Sequence, residues 1–150
     1  MSYRILRVSQ MPISDWNSLL KASLGEGFRF LRRLEDEWAS GQNQFSRPGE
    51  GLFQIRNANH ELLGIGGINQ DPYAMSQEIG RLRRFYILPS YRGHGLGKTL
   101  LTHILTSVQS DFSLVYLRTD QVRAAGFYES MGFERLTDHP SASHRMSLQQ

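Results

Sequence analysis

The feature of this 150-residue chain that most constrains its fold is a glycine-rich turn between an apolar run and a helical pattern. The apolar run covers residues 85–89, and the turn reads Arg92-Gly93-His94-Gly95-Leu96-Gly97-Lys98-Thr99. Glycine tolerates left-handed backbone, and a helix N-terminus presents free N–H groups and a partial positive charge. The sequence therefore predicts a strand, a turn and a helix start that bind an anion, with phosphate or pyrophosphate as the expected ligand.

The glycine spacing argues against two common nucleotide-binding loops. A Walker A loop needs a glycine five positions before Gly97, and that position is Arg92. A dinucleotide fingerprint fails as well, because Leu100 follows three positions after Gly97 and no acidic residue stands where a ribose would need one. An isolated Gly-x-Gly is a weak signal, so a purely structural turn and a nucleoside-triphosphate enzyme using Lys98 and Thr99 stay open as alternatives.

Length and composition limit the class of protein. A chain of 150 residues can build one core, so we expect residues 1–150 to form a single domain. The absence of cysteine excludes a thiol nucleophile, disulfides and cysteine-based metal sites, and the 5 histidines are too scattered to predict a metal site. Residues 1–5 lack the apolar core of a secretory signal, and no run is long and apolar enough for a membrane span, so we expect a cytoplasmic protein without a membrane partner.

The charge pattern does not indicate a nucleic-acid partner. The 17 basic and 14 acidic residues give a formal charge of +3, and no reading module accompanies the arginines. We expect Arg83 and Arg84 to lie on the solvated side of a strand, and Arg32 and Arg33 on the solvated side of a helix. A homodimer is compatible with these features.

Hydrophobic periodicity predicts a mixed α/β order with few parallel crossovers. The order is one strand, two helices with Ser14 as the expected N-cap of the first, three strands, the helix after the glycine turn, a strand, a helix and two closing strands. The predicted strands cover residues 3–8, 52–56, 62–68, 78–88, 114–117, 133–136 and 144–148, and the later helices end near residues 40, 110 and 131.

Two segments resemble the signature motifs of the GNAT superfamily of acetyl-CoA-dependent N-acetyltransferases. Residues 87–97 are similar to its strand end followed by Arg/Gln-x-x-Gly-x-Gly/Ala, and residues 121–133 to its Asn-x-x-Ala-x-x-Phe-Tyr-x-x-x-Gly-Phe. Gln121 departs from the usual Asn but keeps the amide group. The motifs occur in the family's order and separation, and the resemblance covers nearly the whole chain. It implies one GNAT-like domain with a mixed, mostly antiparallel sheet of about six to seven strands and about four helices.

The resemblance also implies a binding site for acetyl-CoA and no metal. In the family the glycine turn holds the pyrophosphate of CoA, and the preceding strand hydrogen-bonds the pantetheine arm like an added strand. The residues that this implies as cofactor-binding are Phe85, Tyr86, Ile87, Leu88, Arg92, Gly93, His94, Gly95, Leu96, Gly97, Lys98, Thr99, Gln121, Ala124, Phe127 and Tyr128.

The chemistry implied by the resemblance is direct attack of a primary amine on the thioester in a ternary complex. The main-chain N–H of Ile87 or a neighbour would polarise the acetyl carbonyl, and Tyr128 would protonate the departing thiolate. The alternative for Tyr128 is a core aromatic packed beside Phe127.

Other site residues are less constrained by the motifs. Glu78 is a candidate base acting through water, and Glu26 a candidate to hold a cationic substrate; for each, a solvated side chain is the alternative. Phe28 and Tyr73 are further candidates for the acceptor pocket. Because the family's acceptor-binding loops share no code, a small or peptide amine fits equally, and a catalytically silent CoA-binding sensory module remains the competing function.

Overall fold

A single sheet of seven strands forms the middle of the protein in the computed structural model, which describes residues 2–148. The strands are β1 (Tyr3–Arg7), β2 (Gly51–Asn57), β3 (Leu62–Gln70), β4 (Ile79–Ile87), β5 (Leu114–Leu117), β6 (Glu134–Arg135) and β7 (His144–Ser147). Their order is β1-β2-β3-β4-β5-β7-β6, and every neighbouring pair is antiparallel except β4 and β5. The expected mixed, mostly antiparallel sheet is thus confirmed.

Helices cover both faces of this sheet. The four α-helices are α1 (Trp16–Gly25), α2 (Phe30–Ser40), α3 (Leu96–Ser107) and α4 (Val122–Ser130), and a short 3-10 turn spans Pro89–Tyr91. Apolar residues of α1 and α2 share one buried cluster with β3, whereas those of α3 and α4 share the other with β4 and β5. No helix within residues 2–148 is long and apolar enough to cross a membrane.

The start of α1 differs from the sequence-based expectation. Ser14 was expected to cap it, but Asp15 occupies the cap position with a left-handed φ of 65° and no side-chain cap hydrogen bond. The Ser14 carbonyl instead accepts a hydrogen bond from Arg56 Nη2 at 2.8 Å. A long-range contact from β2 therefore holds this helix entry, where the local sequence suggested a cap.

The parallel pair of strands separates and creates a cleft. β4 pairs with β5 only where Ile79, Gly80 and Arg81 face Leu114, Val115 and Tyr116. Beyond Arg81, β4 continues for six residues to Ile87 while β5 has no further pairing with it. Among the residues that the structure describes, the β4 edge that faces β5 therefore has no strand partner beyond Arg81.

A bulge changes the direction of β4 beside this cleft. Ile65 faces Tyr86 and Gly67 faces Arg83, so Arg84 and Phe85 together stand opposite Gly66. Arg84 has a left-handed φ of 59°, which is uncommon for a residue with a side chain. After the bulge, Tyr86 packs into the cluster of α1 and α2, whereas Phe85 and Ile87 pack with α3 and α4.

The packing of α3 on the sheet predicts a large stability effect. Leu100 is completely buried in the cluster of α3 and α4. Leu100→Ala is expected to lower the free energy of unfolding by about 3 kcal/mol, because it removes buried methyl groups and leaves a cavity. Urea denaturation measures this value. Leu24→Ala is the control, since Leu24 is 37% exposed on α1 and should cost less than about 1 kcal/mol.

Candidate active site

The cleft between β4 and β5 opens into a cavity of about 2230 Å³. Every residue of β4 except Gly80 lines it, together with the glycine turn, α4 and the loops after β3 and β5. The expected cofactor residues that line it are Phe85, Tyr86, Ile87, Arg92, Gly93, Gly95, Leu96, Gly97, Lys98, Gln121, Ala124, Phe127 and Tyr128. Residues from the two sequence motifs therefore meet at one cavity.

The glycine turn provides an uncapped helix N-terminus at the cavity. Gly93 and Gly95 have φ values of 82° and 81°, and a Cβ on either would meet nothing within 4 Å. Gly95 precedes α3 without a side-chain cap, and the Thr99 N–H donates to the Gly95 carbonyl at 3.0 Å. The N–H groups before Thr99 have no partner within the helix, so the turn fits a pyrophosphate.

Three expected cofactor residues do not line the cavity. The Leu88 side chain packs towards the cluster of α1 and α2, and the Thr99 hydroxyl donates to the Gly95 carbonyl at 3.0 Å. His94 is exposed, with its ring Nδ1 3.4 Å from the Tyr91 carbonyl. The Leu88 and Thr99 side chains are thus engaged elsewhere, whereas the exposed His94 ring lies outside the cavity lining.

The open edge of β4 presents backbone groups to the cavity. The Leu88 N–H donates to the Leu63 carbonyl on β3 at 2.8 Å. Because successive N–H groups of a strand point to opposite sides, the Ile87 N–H points towards the cleft. Such an edge fits an extended amide-bearing arm, which can hydrogen-bond as an added strand.

Tyr128 joins the aromatic core to the cavity. The residue is 8% exposed and its ring lies 6.2 Å from Phe85, 5.3 Å from Phe127 and 5.7 Å from Phe133. Burial raises the pKa of its phenol well above the usual value, so the hydroxyl keeps its proton at neutral pH. Within residues 2–148 the hydroxyl has no hydrogen-bond partner. Tyr128 therefore packs in the core and also lines the cavity with an uncommitted O–H group.

Glu26 takes part in a network that ties the loop between α1 and α2 to the glycine turn. Arg92 Nη1 and Nη2 donate to its two carboxylate oxygens at 2.9 and 2.8 Å, and the Tyr86 hydroxyl donates to Oε1 at 2.5 Å. Arg92 also donates from Nε to the Ile87 carbonyl at 3.0 Å. Glu26 lines the cavity, but Arg92 already neutralises its charge, which argues against the expectation that it holds a cationic substrate.

Glu78 does not reach this cavity. It is exposed immediately before β4 and lines a separate shallow pocket with residues around Phe112. The strand rise of about 3.3 Å per residue puts it on the order of 30 Å from Ile87 at the other end of β4. A base must be within hydrogen-bond reach of the amine or one water away, so the sequence-based assignment of Glu78 is corrected by its position.

The acceptor side of the cavity holds residues that the sequence only partly indicated. Phe28 and Tyr73 line it as expected, with the Phe28 ring 6.4 Å from that of Tyr86 and Tyr73 65% exposed. Arg83 and Arg84 line it too, and Arg84 is only 9% exposed. The expectation that both arginines lie on a solvated side of the strand is therefore wrong, whereas Arg32 and Arg33 are exposed as predicted.

The cause of this error is the position of β4 in the sheet. A central strand is covered on both faces, so consecutive arginines there cannot all reach bulk water. That conflict between strand position and composition is the signal that could have indicated a polar cavity. Within the described residues, no cluster of three or more His, Asp or Glu side chains could hold a metal ion.

The Glu26 network predicts a specific pH dependence of stability. The hydrogen bonds from Arg92, and next from Tyr86, lower the Glu26 pKa against the opposing effect of burial. A carboxyl whose pKa is lower in the folded state stabilises the protein above its unfolded pKa, and this contribution is lost as pH falls through the folded pKa. We expect the melting temperature of Glu26→Gln to lie below that of the wild type at pH 7, with the difference shrinking as pH falls below about 4.3, the ordinary glutamate pKa, and vanishing once pH lies below the folded-state pKa. A difference that persists unchanged in acid would contradict the network.

Comparison with known proteins agrees with the geometry. The sequence model of the Acetyltransferase (GNAT) family matches residues 14–133. The N-alpha-acetyltransferase RimI of Mycobacterium tuberculosis is 29% identical over 85 residues, which are 52% of this chain and 54% of that protein. An uncharacterized protein of Mycobacterium leprae, ML0378, is 40% identical over 79 residues, or 53% of this chain and 22% of that protein. The chain thus spans between about a fifth and about half of the length of these curated relatives.

Solved structures share the fold over almost the full chain. A protein from Exiguobacterium sp. 255-15, assigned to the acetyltransferases, superposes with a TM-score of 0.87 at 26% identity, covering 98% of this chain and 94% of that one. The GNAT family N-acetyltransferase YhbS of Escherichia coli, solved in complex with CoA, has a TM-score of 0.72 at 16% identity, covering 98% and 82%. Because the family match includes both motifs and most of the chain, this protein belongs to the acetyltransferase (GNAT) family.

Proposed function

We propose that this chain is an N-acetyltransferase that moves an acetyl group from acetyl-CoA to a primary amine by direct attack in a ternary complex. The observation that carries the proposal is the meeting of three features at one cavity. These are the uncapped N-terminus of α3, the open edge of β4 and the hydroxyl-bearing Tyr128. Together they fit the pyrophosphate, the pantetheine arm and the leaving thiol of one CoA molecule.

The binding half of this proposal rests on backbone groups. The N–H groups at the start of α3 would hold the pyrophosphate, assisted by the exposed Lys98 that lines the cavity. The β4 edge around Phe85 and Ile87 would accept the pantetheine arm. Phe127 fixes the distance between the turn and α4, because a Cβ on Gly97 would already stand 3.2 Å from its ring.

The chemical half assigns one polarising donor and one proton donor. When bound, acetyl-CoA supplies an activated acyl group that the amine attacks as the carbon–sulfur bond breaks. The Ile87 N–H points towards the cleft and would donate to the acetyl oxygen, where negative charge develops. Tyr128 keeps its proton in the free protein and would deliver it to the departing sulfur.

No carboxylate at the cavity is assigned as the base. Three acidic side chains line it: Glu26 pairs with Arg92, Asp71 pairs with Arg81, and the exposed Asp120 accepts a hydrogen bond from the Gln121 amide at 3.2 Å. The hydrogen bonds from Arg92 lower the pKa of Glu26, which makes this carboxylate a weak proton acceptor. We propose that the amine loses its proton to water.

Ligand-dependent melting tests the binding half. A ligand that binds only the folded state raises its stability, so CoA and acetyl-CoA should both raise the melting temperature in a concentration-dependent manner. ATP should have a much smaller effect, because the Walker register is absent and the Thr99 hydroxyl is bonded to Gly95. Stabilisation by ATP alone would refute the acetyltransferase assignment and favour the nucleotide enzyme.

A catalytically silent CoA-binding sensory module is the second candidate. It is favoured by one observation, the packing of the Tyr128 ring against three other aromatic rings. This candidate predicts the same stabilisation by CoA, but no thiol release with any amine. The two functions therefore differ in turnover and not in binding.

A further inference from the structure

Three arginines of β4 bring an unbalanced positive charge to the cavity. Arg81, Arg83 and Arg84 all line it, next to Tyr73 of the loop after β3 and Glu37 of α2. The bulge explains their proximity, since the left-handed backbone of Arg84 interrupts the alternation that would send successive side chains to opposite faces. We name these three residues the β4 arginine cluster. Their proximity follows from the backbone conformation of the strand.

Only part of this charge is compensated by carboxylates. Arg81 is the most engaged of the three, because its Nε donates to Asp71 at 3.0 Å, its Nη2 donates to the Ser141 carbonyl at 2.7 Å and its guanidinium lies 4.9 Å from the Tyr73 ring centre. Arg84 donates from Nη2 to Glu37 at 3.0 Å. Two carboxylates therefore face three guanidinium groups.

Arg83 and Arg84 are the less engaged arginines of the three. Arg83 is half-buried, and within residues 2–148 it has no hydrogen-bond or ion-pair partner. Arg84 has a side chain that is 8% exposed, and its Nε is buried without a hydrogen-bond partner among the described residues. An unpaired buried donor or charge is costly, and a ligand that supplies an acceptor removes that cost.

The burial of Arg83 favours the binding of an anion. Desolvation, followed by the charge of neighbouring Arg84, lowers the Arg83 pKa, although an arginine stays protonated. A planar guanidinium matches the two oxygens of a carboxylate or phosphate better than any neutral group. The cluster therefore favours an oxyanion over a neutral or cationic ligand.

The cluster is distinct from the expected pyrophosphate cradle. Arg83 lies four residues before Ile87, or about 13 Å along β4, and the glycine turn begins five residues after Ile87. The Ile87 N–H, proposed for the acetyl oxygen, thus stands between the two positive regions. An anion at Arg83 would come from the acceptor side of the reaction.

We propose that the acceptor is a small molecule that carries an oxyanion, a carboxylate or a phosphate, in addition to its primary amine, and that Arg83 binds this oxyanion. The inference rests on the proposed function, because it identifies the class of acceptor for the same site. Arg84 supplies a second guanidinium beside it. Glu37 and Asp71 hold the neighbouring arginines in place, so the anion meets preformed donors.

Matched pairs of acceptors test the proposal directly. We would compare β-alanine with β-alaninamide, and phosphoethanolamine with ethanolamine, with kcat/KM expressed per concentration of free amine. The wild type should prefer the charged member of at least one pair by about 10-fold or more, since a charge-assisted bidentate pair is worth that much. The pair with the larger ratio distinguishes carboxylate from phosphate.

Substitution of Arg83 tests whether the β4 arginine cluster causes the preference for the charged acceptor. Arg83→Gln should raise KM for the charged acceptor by about 10- to 100-fold and bring the charged-to-neutral ratio near one. The KM of Arg83→Lys should lie between those of the wild type and Arg83→Gln, because lysine keeps the positive charge but lacks the planar guanidinium that binds two oxygens at once. Arg32→Gln is the control with the same change of charge, since Arg32 is exposed on α2 outside the cavity. The charged-to-neutral ratio of kcat/KM for Arg32→Gln should equal that of the wild type.

The outcomes that overturn the proposal are separable from failure of the proposed function. If neutral amines are acetylated as well as their charged partners, the acceptor inference is wrong while the acetyltransferase stands. If no amine is acetylated, the oxyanion site is tested by calorimetric titration of β-alanine and of phosphoethanolamine into the protein with CoA. Binding that Arg83→Gln abolishes supports the oxyanion site, and absence of binding to the wild type refutes it. A melting temperature of Arg83→Gln below that of the wild type would identify Arg83 as a structural residue and would also refute the oxyanion site.

Discussion

Tyr128→Phe is expected to lower kcat by between about 10²- and 10⁴-fold while leaving the Kd for CoA within about twofold. The substitution removes only the hydroxyl, so the ring keeps its contacts with Phe127 and Phe133. Loss of the proton donor leaves the thiolate to depart unprotonated, which raises the barrier of the chemical step. Single-turnover measurements of thiol release isolate that step from product release.

Two controls limit the interpretation of this result. Tyr91→Phe removes a hydroxyl from a tyrosine that packs on the same apolar cluster without lining the cavity, and it should leave kcat unchanged. Melting of Tyr128→Phe should match the wild type closely, because no hydrogen bond within residues 2–148 depends on the Tyr128 hydroxyl. Single-turnover rates equal to the wild type would remove Tyr128 from the mechanism and leave it a core aromatic.

Gly95→Asp is expected to raise the Kd for CoA by about 100-fold or more. Gly95 precedes α3 with a φ of 81°, which a side chain tolerates poorly, and its Cβ would project into open space. A carboxylate there would stand against the pyrophosphate at the helix N-terminus, where like charges cost several kcal/mol. Calorimetric titration with CoA measures the change.

Matched variants separate the charge from the backbone strain. Gly41→Asp places the same residue at a φ of 78° after α2, also with nothing within 4 Å of its Cβ, and should leave the Kd for CoA unchanged. Gly95→Asn keeps the shape without the charge and should weaken binding less than Gly95→Asp. Equal CoA affinity of Gly95→Asp and the wild type would mean that the pyrophosphate does not lie at this turn.

Local sequence patterns predicted the parts of the site that are built from consecutive residues. The turn before α3 could be recognised because glycines at 93 and 95 adopt left-handed backbone there. Leu114–Leu117 was predicted with the observed bounds, since a short apolar run between polar segments is typical of a buried strand. The aromatic pair Phe127 and Tyr128 likewise lies on one helix, α4, and reaches the cavity together.

Contacts between distant residues account for the features that the sequence did not predict. Glu26 meets Arg92 across 66 positions, so nothing local indicated that its charge is neutralised. The bulge at Arg84 arises from the register between β3 and β4, which periodicity within one strand does not determine. The distance between Glu78 and Ile87 is different, because the predicted strand over residues 78–88 already places them near its opposite ends.

The measurement that most directly tests the proposed function is amine-dependent release of the CoA thiol from acetyl-CoA, followed with mass detection of the acylated amine. An N-acetyltransferase of this kind should show thiol release that requires the amine, an acetylated product in equal amount, and intersecting initial-velocity lines, since both substrates must be bound before transfer. Acetyl-CoA that binds and raises the melting temperature without thiol release from any charged or neutral amine would contradict the proposed function and leave the silent CoA-binding module in its place.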